Sequence, residues 1–563
     1  MNSQTVIHAL PQPVQPIMKS LIDSGLGMML FGMLILTAGL NLTQGRNSKI
    51  STGRFAKTRE RKTAKRIARH QQRQRKPNLV SFKVGQLVIP EAQQGIAVCG
   101  APNSGKTFSI IDPVIRDAIR QGFAIALYDY KGSQLEAHAA YAASQGYEVH
   151  IFAPGFPYTG VCNPLDFVKD ASDALMAGQL AEVIYKNIRR GGHTSENDFF
   201  ATAGQKLVEA VILLAKHTPY PDLLMAKKLL NLPNLPKRIR LAEETGKIPI
   251  WTIESFSQLI VSEDAEKQVA GIVATAQRTF DKFISQELIP SFIGQTTIPL
   301  DLKGKQILFL QVDTQKRDVV APLLAVLLHL IIARNFAQPR KEPLVVSLDE
   351  LPTLHLDSLP KWINEFRSSG FCPILGYQNF AQIQHTYGRE LSKAIFAACG
   401  TKVFFNPRED ETATLISRYL GEKEVRMFTK STNTGTHRST SRNEQIQKMP
   451  LMTIDEILKL DQGECVFINP AYKNRTEASI PLRTKLRVPR SEVILQAESE
   501  KLWRNIWRDR MADQAKSQQI APERINAAAQ VRQAAAEALF PLSQEAAQPQ
   551  IYSEDYFEDE IIF

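Results

Sequence analysis

GIAVCGAPNSGKT, Gly95 to Thr107, decides the fold. Its opening, Gly95–Cys99, is a short apolar run suited to a buried strand. The remainder, Gly100–Thr107, satisfies G-x-x-x-x-G-K-[ST] at every fixed position. SIIDPVIRDAIR then reads as a helix, so strand, loop and helix follow one another as this motif requires. Gly100 and Gly105 let backbone N–H groups curl around phosphate oxygens without a Cβ in the way. The N-terminus of the following helix favours an anion. Lys106 is placed to reach the β and γ phosphates, and Thr107 offers a hydroxyl to Mg²⁺. The cradle expected to hold ATP (or GTP) with Mg²⁺ is Gly100, Ala101, Pro102, Asn103, Ser104, Gly105, Lys106 and Thr107.

Hydrolysis needs a second element. LVVSLDE, Leu344–Glu350, is an apolar strand ending in two carboxylates. Asp349 is expected to hold Mg²⁺, together with Thr107, and Glu350 to orient or deprotonate the attacking water. Further strands are predicted at Phe123–Asp129, Gln306–Asp313, Cys372–Tyr377 and Lys402–Asn406, with a helix at Leu359–Phe366. Strands alternating with helices predict an α/β fold with a doubly wound, mostly parallel sheet. From about Phe167 to Leu300 the period is helical and β signals are sparse, which predicts an inserted all-α domain broken by Pro233, Pro236 and Pro249.

The formal net charge of +11 is local. Arg46 to Lys76 holds 13 Lys or Arg against the single acid Glu60, and the rest of the chain is almost neutral, 55 basic to 56 acidic residues. This excludes a histone-like nucleic-acid binder that is basic throughout. Ser24 to Gly45 carries no charge and is long enough for one N-terminal transmembrane helix, in place of a buried soluble helix or a signal peptide. The basic run after Gly45 places the bulk of the chain on the cytoplasmic side of the inner membrane. Arg54–Lys76 reads as a helix lying along anionic lipid headgroups or beside nucleic acid, or simply solvated. Five cysteines without metal-ligand spacing read as buried free thiols.

Beyond the phosphate loop, several blocks occur in order: YDYKG at Tyr128–Gly132, FAPGFPYTGVCNPLDF at Phe152–Phe167, NDFFATAGQKLVEAVILLA at Asn197–Ala215, the long block Leu348–Gly388, and FFNPREDETATLISRYLG at Phe404–Gly421. Together they resemble the coupling-protein family of type IV secretion and conjugation, the TraD/TraG group. The resemblance covers about Gly95 to Leu482. It implies a RecA-like ATPase motor, often a homo-hexamer, moving single-stranded DNA or its protein conjugate toward a secretion channel. The implied partners are relaxase or relaxosome proteins, channel subunits and the inner membrane. It also implies that Arg367 is a trans-acting arginine finger and that Gln378 senses the γ-phosphate. Arg389 and Arg408 are rival fingers, and a surface salt bridge is the plain alternative for Arg367. Many family members carry two membrane helices; this sequence offers one.

The expected division is 1–45 membrane anchor (span about 24–45), 46–76 basic juxtamembrane segment, 77–166 and 301–487 the two parts of the nucleotide-binding domain, 167–300 the all-α insertion, and 488–563 a helical or disordered tail. Within that tail Ala521–Phe540 reads as a helix, and the acidic, aromatic end Tyr552–Phe563 as a disordered segment or a docking peptide. Lys186, Arg189 and Arg190 are candidate DNA contacts. Competing functions are a receptor for protein effectors, a chromosome-segregation translocase of FtsK type, and a nucleotide-gated scaffold without hydrolysis. Glu350 beside Asp349 argues against the last.

Overall fold

The computed structural model describes residues 53–188, 198–282, 284–433 and 439–542. The expected span at 24–45 lies outside them, as do Arg189, Arg190 and the acidic end. The chain divides into two compact units, one of Phe55–Tyr419 with Met452–Phe563 and one of Met1–Arg54 with Leu420–Leu451.

The larger unit is built on a nine-stranded sheet. Its strands are β3 (Ile96–Cys99), β4 (Ala124–Asp129), β5 (Glu148–Phe152), β6 (Gln306–Gln311), β7 (Leu344–Leu348), β8 (Phe371–Tyr377), β9 (Thr401–Phe404), β12 (Glu464–Ile468) and β13 (Leu482–Lys485). β1 (Phe82–Val84) and β2 (Leu87–Ile89) form a separate antiparallel hairpin. The sheet order is β13-β12-β9-β3-β8-β7-β4-β6-β5. β9 through β5 run parallel, while β12 joins β9, and β13 joins β12, antiparallel. β3, β4 and β7 are buried at every residue. Their unbroken apolar runs are what parallel strands covered on both faces require.

Between β5 and β6 the described chain is helical, from Ala174–Ile188 through Asp198–Lys216 to Glu266–Asp281, and contains no strand. The apolar helix Arg317–Asn335 is long enough to cross a bilayer, yet 72% of its apolar window is buried inside the protein. It leads from β6 back toward β7 and serves as a core helix.

The basic run folds as the helix Thr58–Gln74. Glu60, Ala64, Ala68 and Gln71 form its buried face, and the Lys and Arg residues around them stay outside. Gln71 Nε2 donates to Glu91 Oε1 at 2.7 Å, and Gln71 Oε1 accepts from Glu91 N at 3.1 Å.

The segment after Val488 packs onto the same unit. Arg116, fully buried, donates to Glu492 at 2.6 Å, and Trp503 meets Tyr158 edge-on at 5.4 Å. The helix Ile525–Leu539 is held by Arg532, whose Nε lies 3.0 Å from Asp222 Oδ2. All five cysteines are buried and unpaired.

In the smaller unit, β10 (Glu422–Asn433) and β11 (Ser439–Pro450) pair antiparallel from Glu422↔Pro450 to Asn433↔Ser439. This hairpin lies within the stretch read as the second part of the nucleotide-binding domain, but it belongs to a sheet of its own.

Candidate nucleotide site

The loop after β3 is pinned by the neighbouring strand ends. Gly100 N donates to Tyr377 O at 3.1 Å, Ala101 N to Asn406 O at 3.0 Å, and Gly463 N to Ser104 O at 2.9 Å. A Cβ at Gly100 would lie 2.5 Å from Ser104 Oγ, and Gly105 has φ +100° with the Gly463 backbone close by. Both glycines are therefore required by sterics as well as by the motif. Asn103 takes the left-handed conformation at φ 63°. Thr107–Ile111 opens the following helix with a π-turn, a feature common at functional sites.

Lys106 and the β7 carboxylates converge. Lys106 Nζ is buried 3.1 Å from Asp349 Oδ1 and 3.7 Å from Glu350 Oε1. Thr107 Oγ1 donates to Asp349 Oδ2 at 2.6 Å. Lys131 Nζ donates to Glu350 Oε1 at 2.9 Å. Gln378 Nε2 donates to Glu350 Oε2 at 3.2 Å. Burial pushes the Glu350 carboxyl up, but Lys106, Lys131 and Gln378 outweigh it and hold the group below its ordinary value. Glu350 also takes φ 71°, a costly conformation for a side chain of its size and one that the tight turn after β7 imposes. Ser104 Oγ is buried without a hydrogen-bond partner, and Lys106 Nζ is buried in ion pairs with Asp349 and Glu350 but outside hydrogen-bond geometry. Buried donors left in this state, beside a glycine loop and two carboxylates, fit a phosphate group and its metal.

One strand, β8, lies between the loop strand β3 and the carboxylate strand β7. Gln378 immediately follows it, so its amide faces the carboxylates from the middle of the sheet.

A sequence model of the type IV secretion-system coupling protein DNA-binding domain matches residues 82–476. The chain belongs to this family. The coupling protein TraD of Escherichia coli K12 is 24% identical over 187 residues, 32% of this chain and 26% of TraD, so the match spans about a quarter of that relative's length. Among solved structures, the bacterial conjugative coupling protein TrwBdeltaN70 in an unbound form superposes with a TM-score of 0.54 at 17% identity, covering 75% of this chain and 91% of that one. TrwB in complex with ADP and Mg²⁺ gives 0.54 at 17% identity, over 73% and 89% of the two chains. At these identities the likeness establishes a shared fold.

The remaining predicted residues of this coupling protein fall in different places. Arg367 is exposed in the turn Phe366–Ser369, before the N-terminal end of β8. The phosphate loop lies at the other end of that strand, roughly 20 Å away at the rise of a strand, beyond the reach of an arginine side chain. Arg389 is exposed just past the kink at Gly388. Arg408 is exposed two residues beyond Asn406, whose carbonyl pins the loop. Lys186 is paired with Glu182 at 2.6 Å and Asp357 at 3.2 Å.

From sequence, Lys131 reads as structural or nucleotide-adjacent rather than catalytic, and Gly376 and Gly463 carry no assignment. The Lys-Gly that closes β4, one strand from the carboxylates, was the legible signal for Lys131. Gly463 is distant in sequence and carried none.

Proposed function

We propose that the chain is a membrane-anchored ATPase that passes single-stranded DNA, with its relaxase or relaxosome proteins, to a type IV secretion channel as a homo-hexamer. The observation that supports this reading is the convergence of Lys106, Thr107, Asp349 and Glu350 at the ends of β3 and β7. ATP with Mg²⁺ supplies an electrophilic γ-phosphorus and a stable leaving group when bound. Lys106 neutralises phosphate charge. Thr107 and Asp349 hold the metal. Glu350 orients water and accepts its proton. Lys131 and Gln378 keep the Glu350 carboxylate in place. The distance of Arg367 from its own loop favours an action on a neighbouring subunit, the arrangement of a finger supplied in trans. Family membership supports the DNA cargo and the secretion channel. The uncharged stretch Ser24–Gly45 supports the anchor.

The test is ATP hydrolysis by the full chain in nonionic detergent, with and without single-stranded DNA, beside Lys106→Ala and Glu350→Gln. DNA-stimulated hydrolysis, absent from both variants, is the expected result. ATP binding without turnover under every DNA condition refutes the motor.

A further inference from the structure

A groove lined by residues other than those of the nucleotide site lies in the larger unit. About 710 Å³ in volume, it lies between the helix Thr58–Gln74 and the loop at Lys473–Arg475. Five cations line it, namely Arg59, Lys62, Arg66, Lys473 and Arg475, and no acid does. All five are exposed, and none forms an ion pair with a described residue. Five cations on one groove, with no acid among the lining residues, raise a positive potential that an anion relieves.

Both walls are fixed to the β1–β2 hairpin. On the helix side, Ser81 Oγ donates to the carbonyl of Ala68 at 3.1 Å, and Gln71 and Glu91 pair as described. On the loop side, Tyr472 OH donates to Val88 O at 3.1 Å. Asn474 Oδ1 accepts from Thr476 N and Glu477 N, both at 2.7 Å, which shapes the turn carrying Lys473 and Arg475. Nearly 400 residues of sequence separate the two walls, so the juxtaposition is a product of the fold.

We propose that this groove binds the phosphate headgroup of an anionic phospholipid. The inference rests on the membrane-anchored reading. Thr58, on the helix wall, follows the uncharged stretch by 13 residues of sequence, a chain reach of at most about 45 Å. The volume suits one small ligand, in the ordinary range of roughly 300–1,000 Å³. A single-stranded DNA track would offer aromatic side chains for base stacking, and none lines this groove.

The experiment uses the full chain in nonionic detergent and soluble dioctanoyl-phosphatidylglycerol, with dioctanoyl-phosphatidylcholine as the neutral comparison. Lys473→Gln and Arg475→Gln lie far in sequence from the juxtamembrane run. Each is expected to weaken phosphatidylglycerol binding about five-fold, with phosphatidylcholine unaffected. Arg59→Gln with Arg66→Gln, on the opposite wall, should give the same loss, and Lys473→Arg should retain binding. Unchanged phosphatidylglycerol affinity in the loop variants overturns the proposal. So does loss of oligodeoxynucleotide binding alone, which makes the groove a DNA contact. Alkaline carbonate extraction tests the anchor separately: release of the chain from membranes defeats that reading and leaves the detergent titration interpretable.

Discussion

Replacing Gly376 by alanine should disable the site without substituting any of the residues assigned to catalysis. Gly376 lies in β8, between the loop strand and the carboxylate strand. A Cβ there would sit 2.3 Å from Asp349 Oδ1 and 3.1 Å from Asp349 Cα and Ile111 Cδ1. Relief requires Asp349 to move by roughly 1 Å, because neither backbone nor a packed isoleucine yields easily. That shift stretches the 2.6 Å bond from Thr107 to Asp349 beyond hydrogen-bonding range and moves the carboxylate off Lys106. Misplacement by about 1 Å costs about 100-fold in rate. Overpacking should cost about 1–3 kcal/mol of stability. The assay is steady-state ATP hydrolysis across a Mg²⁺ titration, with thermal unfolding in parallel. Hydrolysis within three-fold of wild type, about 0.7 kcal/mol of barrier, at unchanged Mg²⁺ dependence would refute the reasoning.

Three further outcomes follow from the same geometry. Lys131→Ala should lower kcat about ten-fold at unchanged nucleotide affinity, a part of the roughly 10²–10⁴ that a positioned base supplies, and Lys131→Arg should recover part of it; equal kcat in the alanine variant would remove Lys131 from the site. His329 is buried against Trp362 at 4.8 Å, and burial pushes its imidazole from 6.5 down to about 4. The unfolded chain takes that proton first, so stability should fall by up to about 3 kcal/mol as pH drops from 6.5 toward 4. His329→Gln should flatten that decline, as read by denaturant unfolding at several pH values. Arg532→Ala leaves Asp222 buried and unpaired, so it should cost about 3–5 kcal/mol and expose the helix Ile525–Leu539 to proteolysis, with hydrolysis unchanged.

Much of the sheet was readable because its strands are locally unambiguous. The predicted runs at 123–129, 306–313 and 372–377 correspond to β4, β6 and β8. β5 is five residues with partly exposed positions at its start, and such a pattern resembles many loops. The β10–β11 hairpin is rich in Lys, Arg, Ser and Thr and shows little apolar alternation, so its pairing register has no clear sequence signal. β12 runs against the parallel strands and β13 reverses again at the sheet edge, and strand direction is a property of connections.

The sequence alone determined the phosphate loop, the paired carboxylates and the family. These depend on residue types at short spacing, where local chemistry admits few alternatives. The tertiary structure decided what those residues face. It set β8 between β3 and β7, which makes Gly376 a steric neighbour of Asp349 and brings Gln378 to Glu350. It brought Lys131 within 2.9 Å of a carboxylate 219 positions away. It put Arg367 at the far end of its strand from its own loop, and it joined the basic helix Thr58–Gln74 to Lys473 and Arg475 in one groove. Contacts of this kind arise from strand order and packing between distant segments, and no local pattern of residues encodes them.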